Sequence, residues 1–411
     1  MGDTRNLISI LFITQYFPPE TGAGPTRINE LTKRWVDRGH DVTVVTSMPD
    51  YPEGEIYDGY ENNLVRTEWV DGVRVIYLLT IPASNNGFLR RGLKFVWFML
   101  AATIAGLWLD RHDIVVSTAP QPLTGPAGWI IARAKGSRFI YEVRDLWPES
   151  ITSLSDISGW IVEPLRWMIE FTYRHADQLV AVSPGFEPTF VEAGANSEDV
   201  LVHYNGVDPA YFEHDSDWSL DEETVAELQQ EFVVAYVGTL GRAHGLSVAL
   251  DAAEQLDDVT FLFVGTGAEE EMLRREVKRR KIENVRFEGR HPKEHVPDFL
   301  AVSDLALVHL KNKDLFRTAI PSKTFEAMAA GLPVLMGVRG TATNIVERSD
   351  TGLPFQPMDP TDLAAVIREL RDDNERRATM GTNGETFVDA EFSWDQIAES
   401  YARDLEALVD S

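Results

Sequence analysis

Apolar positions along this chain come in short bursts with two spacings. Leu7 to Thr14 is an apolar, strand-like run interrupted downstream by Pro18 and Pro19; Arg27 to Arg38 then repeats apolar residues at helical spacing until Gly39 stops it. Asp41 to Thr46 (DVTVVT) returns to a strand pattern, so the opening reads as the strand, helix, strand unit of a parallel sheet. Val73 to Leu79, Ile114 to Ser117, Phe139 to Val143 and Leu179 to Val182 supply further strands.

Around Asn205 the pattern breaks: His203 to Asp208 (HYNGVD) leads into Glu213 to Gln230, crowded with acidic residues and without a strand signal. Strand and helix then alternate again, with strands at Phe232 to Gly238, Thr260 to Val264, Val285 to Glu288, Leu305 to Leu310 and Val334 to Met336. The expected class is α/β: two facing Rossmann-like domains at 1–207 and 208–388, with a helix at 389–411 crossing back to the first. Ligands of such sheets bind outside the carboxyl ends of the strands, which predicts an inter-domain cleft and directs attention to the loops after strands. With 411 residues, two cores are the default.

Composition narrows the function. A formal charge of −27 argues against a nucleic-acid partner, which requires clustered Lys and Arg, and fits either ordinary solubility or, the preferred expectation, adaptation to very high salt. The absence of cysteine excludes disulfides and thiolate chemistry. The N-terminus carries no secretory pattern, so a cytoplasmic site of action is expected. Phe95 to Leu109 is uncharged but shorter than the roughly 20 residues that span a bilayer. It reads either as a buried helix or as an interfacial patch in which Arg90, Arg91 and Lys94 meet anionic lipid on the inner face of the membrane.

Two loops carry candidate chemistry. Pro18 to Arg27 (PPETGAGPTR) places Gly22 and Gly24 where backbone can approach a diphosphate at a helix start, although the same residues are ordinary turn punctuation. In Ala319 to Val334 (AIPSKTFEAMAAGLPV), Pro321 and Ser322 open a helix whose N–H groups, with Ser322 and Lys323, suit a phosphate, while Glu326 suits ribose hydroxyls; a simple helix cap is the competing reading. Asp215, Ser216 and Asp217 form a D-x-D, but in an acidic linker and away from any strand end, so no metal is assigned. Neither a G-x-S-x-G elbow nor a Walker loop is present.

The segments YFPPETGAGPTRINELTKRWVDRGHDVTVVT, YEVRDLWPES, HYNGVD, YVGTLGRAHGLSVALDAA, FLFVGTGAEEEML and PSKTFEAMAAGLPVL, in this order, resemble the family-4 retaining glycosyltransferases, in the branch of surface-glycan and extracellular-polysaccharide assembly. The resemblance implies a GT-B fold and metal-independent, retaining transfer of a hexosyl or amino-hexosyl unit. Its donor would be a nucleotide diphosphate sugar, UDP-linked by preference, as co-substrate without a cofactor. The acceptor would be lipid-linked or a polysaccharide. Arg242 and Lys323, with the amides near Gly22 and Gly241, would then stabilise the diphosphate leaving group. Arg144 and Asp145, shaped by Trp147 and Pro148, would sit near the reacting sugar. Gly265, Gly267 and Arg290 would border the base, and Asn205 would complete the donor-binding set. Two departures stand out: Thr318 occupies the place of the family's first glutamate, and Thr239 and His244 occupy the places of its usual Arg and Lys, leaving Arg242 and His244 to supply positive charge. A nucleotide-sugar epimerase and a non-catalytic sugar-nucleotide-binding scaffold are the alternatives.

Overall fold

In the computed structural model, which describes residues 7–83, 88–148, 159–212 and 218–411, the first apolar burst forms β1 (Ser9–Ile13), buried along nearly its whole length. The D-x-D at Asp215 to Asp217 lies outside the described residues. After β1 comes helix α1 (Ala23–Asp37), which begins four residues before the amphipathic pattern does because Gly22, at φ 130, turns the chain into it. Then follow β2 (Asp41–Ser47), β3 (Val65–Val70), β4 (Val73–Leu78), helix α2 (Phe88–Trp108), β5 (Ile114–Thr118), helix α3 (Thr124–Lys135), β6 (Arg138–Val143), β7 (Gln178–Ala181) and β8 (Val200–Val202).

These strands make one sheet in the order β3-β4-β2-β1-β5-β6-β7-β8, parallel except for the β3/β4 hairpin. Asp71 and Gly72 both take positive φ at the hairpin tip, as its tight turn requires. No apolar run marks β3, because this edge strand alternates half-buried with exposed positions.

The second sheet contains β9 (Val233–Val237), β10 (Thr260–Val264), β11 (Val285–Gly289), β12 (Leu305–His309), β13 (Val334–Gly337) and β14 (Gly352–Pro354). Its order is β11-β10-β9-β12-β13-β14, all parallel, which places β9 and β12 side by side at the centre. The inner strands of both sheets are runs of β-branched and other apolar residues buried on two faces, as parallel strands covered by helices must be.

Two compact units result: Met1–Asn205 together with Trp394–Ser411, and Gly206–Ser393. The last helix, Trp394–Asp410, lays Trp394, Ile397, Tyr401, Leu405 and Leu408 into the core of the first unit beside Phe12 and Trp35. There the Trp35 indole N–H donates to the Ala398 carbonyl at 3.1 Å, and the Tyr401 ring meets Trp35 edge-on at 5.2 Å.

Helix α2 runs 21 residues, longer than its apolar stretch suggested, and is only half buried. Phe98 and Ala102 face inward, while Leu93, Val96, Leu100, Ile104, Leu107 and Trp108 form an exposed stripe, with Ile104 60% and Trp108 87% accessible. Lys94 corrects the sequence reading. It is buried and ion-paired with Asp50, so it belongs to the interior and not to a lipid-facing basic cluster; Arg90 remains exposed and Arg91 lies over the Phe95 ring at 5.6 Å. Among the described residues no helix is long and apolar enough to cross a membrane.

Candidate active site

Within the second unit, the candidate residues gather at the carboxyl ends of the central strands β9 and β12. Gly238, at φ 133, turns the chain out of β9 into a loop whose backbone is packed by the loop after β10. A Cβ on Gly265 would lie 2.1 Å from the Gly238 carbonyl oxygen, and one on Gly267 would lie 2.5 Å from that of Leu240. The GTG sequence is therefore needed for close backbone approach, whatever it also touches. Arg242 is exposed at the tip of this loop and makes no ion pair among the described residues, so its guanidinium is available to an anion.

Lys323 and Glu326 sit one turn apart on the helix Lys323–Ala329. The Lys323 ammonium reaches to Gly238, 3.0 Å from where a Cβ would stand, and lies 3.6 Å from the centroid of the Tyr236 ring. It is enclosed and has no hydrogen-bond partner. Burial pulls it down to about 7 against the opposing charge of Glu326, while burial raises Glu326 against Lys323 and Lys293. Beneath the pair is a cavity of about 10 Å³ lined by Ala235, Val237, Leu300, Leu307 and Ala327, room for about one water.

At the helix start, expected to offer N–H groups to phosphate, those of Thr324, Phe325 and Glu326 return to the carbonyls of Pro321 and Ser322, and the Ser322 hydroxyl caps nothing. One expectation is corrected here. His244, expected to share the positive charge, is held neutral: burial first, then the Lys323 charge, pushes it down to about 4. Its carbonyl accepts from His309 Nδ1 at 2.5 Å, while His309 Nε2 accepts from the Met358 N–H at 3.0 Å. That pair of bonds fixes His309 as the neutral Nδ1–H tautomer, and burial pushes it down to about 4 as well. Both histidines thus shape the loop without charging it. Thr318, in the place of the missing glutamate, spends its hydroxyl on the Leu315 carbonyl.

Among the remaining candidates, Arg290 is exposed just beyond β11. Asn205 belongs to the first unit, where its Oδ1 accepts from Arg27 Nη1 at 3.4 Å.

In the first unit, no side chain caps α1 at Gly22. The guanidinium of Arg144 lies directly against Gly24, with Nη1 2.6 Å from where a Cβ would stand, and its Nε donates to the Ala119 carbonyl at 2.6 Å. Gly22, Gly24 and Arg144 are thereby brought together. Asp145 beside them is exposed.

Sequence reasoning missed two buried networks behind this loop. Arg27 pairs with Glu142 at 2.9 Å, both side chains fully buried, and also donates to the carbonyls of His203 and Tyr204; Thr118 donates to the other Glu142 oxygen. Burial would raise Glu142, but Arg27, Arg144 and Thr118 outweigh it and hold the carboxyl below the usual range. Nearby, Glu20 Oε1 accepts the N–H groups of Asp50 and Tyr51, Oε2 has no partner, and burial pushes the carboxyl up to about 7. A charged residue inside the motif, such as Arg27 on the inner face of an amphipathic helix, was the available signal.

Comparison with known proteins places the chain in a family. The family described as "Glycosyl transferase 4-like domain" matches residues 22–206, and "Glycosyl transferases group 1" matches residues 220–387. A GDP-mannose-dependent monoacylated alpha-(1-6)-phosphatidylinositol monomannoside mannosyltransferase of Corynebacterium glutamicum is 26% identical over 404 residues, covering 97% of each chain. The putative colanic acid biosynthesis glycosyl transferase WcaI of Escherichia coli is 22% identical over 333 residues, 78% of this chain and 81% of that one. Among solved structures, Anabaena Alr3699/HepE in complex with UDP superposes with a TM-score of 0.69 at 20% identity, over 97% of this chain and all of that one. Sucrose-phosphate synthase of Thermosynechococcus elongatus gives 0.78 at 19% identity, over 98% and 99%. Two parallel-sheet units, matched in turn by the two domain families and by whole-length structural neighbours, make this chain a family-4 glycosyltransferase of the GT-B fold.

Proposed function

We propose that the chain transfers a hexosyl or amino-hexosyl unit, with retention and without a metal, from a nucleotide diphosphate sugar to a lipid-linked or polysaccharide acceptor. The observation that carries this reading is the enclosed, unpartnered ammonium of Lys323 beside Glu326 at the carboxyl ends of β9 and β12. When the bond from the anomeric carbon to the diphosphate breaks, the leaving group gains negative charge. Lys323 and the free guanidinium of Arg242 are the cations to receive it, and Glu326 is the acceptor for ribose hydroxyls. In the first unit Arg144 and Asp145 would act at the reacting sugar. A UDP-linked donor is preferred, in keeping with the UDP complex of the Anabaena neighbour, while the Corynebacterium relative is named for GDP-mannose and a phosphatidylinositol mannoside acceptor.

The exposed stripe of α2 supports peripheral contact with a membrane that would present a lipid-linked acceptor. If it does so, Ile104→Glu with Trp108→Glu abolishes sedimentation with anionic vesicles and leaves turnover on a short soluble acceptor intact.

The deciding experiment is release of nucleoside diphosphate from a panel of UDP and GDP sugars with lipid-linked acceptors, with and without EDTA, at low and molar salt. Acceptor-dependent release that survives EDTA and is lost in Arg242→Ala and Glu326→Ala is the expected result. Interconversion of the sugar with its nucleotide still attached would mark an epimerase, and binding without release a scaffold.

A further inference from the structure

Strand β5 ends on Thr118, which stands opposite Glu142 of β6 in the parallel register. Both side chains are buried, and they meet: the Thr118 hydroxyl lies 3.0 Å from Glu142 Oε1. The same hydroxyl lies 3.0 Å from the carbonyl oxygen of Ala119, so one proton is shared between a carboxylate and a peptide oxygen. Ala119 is tied to β6 a second time, because its N–H donates to the Glu142 carbonyl at 2.9 Å.

The Ala119 carbonyl is also what holds Arg144, whose Nε donates to it at 2.6 Å. Among the described residues the guanidinium uses no other acceptor, so Nη1 and Nη2, which lie against Gly24, keep their N–H groups for a ligand. Three residues beyond Gly24 on α1, Arg27 donates from Nε and Nη2 to the other Glu142 oxygen at 3.1 and 2.9 Å. One buried carboxylate thus fixes both sides of the contact between Arg144 and Gly24, the helix through Arg27 and the guanidinium through Thr118 and Ala119. Thr118 and Glu142 are themselves 2% and 0% exposed, too enclosed to meet a substrate. What they govern is the anchor of a long side chain, and slack in that anchor passes directly to the atoms that face the ligand.

We infer that Thr118 and Glu142 are positioning residues for the transfer reaction, holding the Ala119 carbonyl where it aims the Arg144 guanidinium at the reacting sugar. This rests on the reading above that places Arg144 there, and extends it to residues that touch neither sugar nor nucleotide.

A double-mutant cycle on the full chain tests it, following nucleoside diphosphate release from UDP-glucose and GDP-mannose with a saturating lipid-linked acceptor. Thr118→Val keeps the side-chain shape and removes only the hydroxyl, and kcat should fall at least about 10-fold. Affinity for UDP and GDP, read by titration calorimetry, should stay level, because Lys323 and Glu326 lie in the second unit. Thr118→Ser returns the hydroxyl and should recover most of the lost turnover. In an Arg144→Met background, itself slower than wild type, Thr118→Val should cost no further turnover. Its unfolding midpoint should drop in both backgrounds alike, since Glu142 Oε1 loses its donor in each. A fall in kcat by the same factor with and without Arg144, or a Thr118→Val chain as fast as wild type, would overturn the inference. Turnover unchanged by Arg144→Met alone would instead refute the placing of Arg144 at the reacting sugar, and the inference would fall with the reading on which it stands.

Discussion

The Lys323 ammonium rests on the face of the Tyr236 ring, 3.6 Å from its centroid, with Glu326 one helical turn away and no hydrogen-bond partner of its own. Such a group is charged or neutral according to what occupies the site. Its value of about 7 lies below the ordinary 10.5, so the folded state sheds a proton that the unfolded state keeps. Charging Lys323 therefore costs stability in full below pH 7, and the cost is relieved as pH rises from about 7 to 10.5. A diphosphate favours the charged form. Nucleoside diphosphate affinity should accordingly fall as pH rises above 7, by up to about tenfold per unit. Lys323→Arg should flatten that profile, since a guanidinium does not titrate there; calorimetry from pH 6.5 to 8.5 reads both, and a flat wild-type profile would remove Lys323 from the diphosphate.

Glu20 carries the opposite sign. Its carboxyl is raised from 4.5 to about 7, so the folded state binds the proton more tightly, and stability is lost as pH climbs between those values. Glu20→Gln keeps an oxygen for the Asp50 and Tyr51 N–H groups and cannot ionise. Relative to wild type, its stability should improve by about 2 kcal/mol between pH 5 and pH 8, measured by urea unfolding. A pH-independent difference would show that Glu20 is already paired in solution.

Arg27 is the fastening of the first unit's loop to its sheet. Arg27→Met leaves Glu142 buried and unpaired and releases the carbonyls of His203 and Tyr204. The expected loss is about 3–5 kcal/mol, read as a lowered denaturation midpoint.

Gly24→Ala is a contrasting case. The added methyl meets the far end of the Arg144 side chain, which can swing away, so the fold should tolerate it. Arg144 would then leave its place against the loop. We expect turnover to fall at least about tenfold with the melting temperature nearly unchanged, a split that separates positioning from folding.

Much of this is legible in the amino-acid sequence. Buried parallel strands announce themselves as β-branched runs, and ordered motifs fixed the family. What stayed hidden has physical causes. Edge strand β3 is half exposed and so lacks an apolar run. Lys94 looked like a surface cation because its partner, Asp50, is distant in sequence. The state of His244 depends on His309 and Lys323, which no local pattern reveals.

Removing Trp394 onward should be far more damaging than an ordinary tail deletion. Trp394, Ile397, Tyr401, Leu405 and Leu408 are buried in the first core, and each is worth roughly 1.5–3 kcal/mol of burial. A chain ending at Ser393 should lose cooperative melting of the first unit and with it transfer activity, while the second unit, whose residues are all present, still binds nucleotide; full activity in the truncated chain would contradict the packing.

That same arrangement imposes an order on synthesis. The second unit is one uninterrupted stretch, Gly206–Ser393, and can close its core while the ribosome is still adding residues. The first unit begins to emerge earlier yet cannot finish, because its last helix, Trp394–Asp410, follows the whole of the second unit in the chain. During translation the older half waits for the younger, exposing the groove on α1 that Tyr401 and its neighbours will fill. A chain stalled before Trp394 therefore presents an apolar surface to chaperones and proteases, which makes the helix Trp394–Asp410 the checkpoint for the first unit.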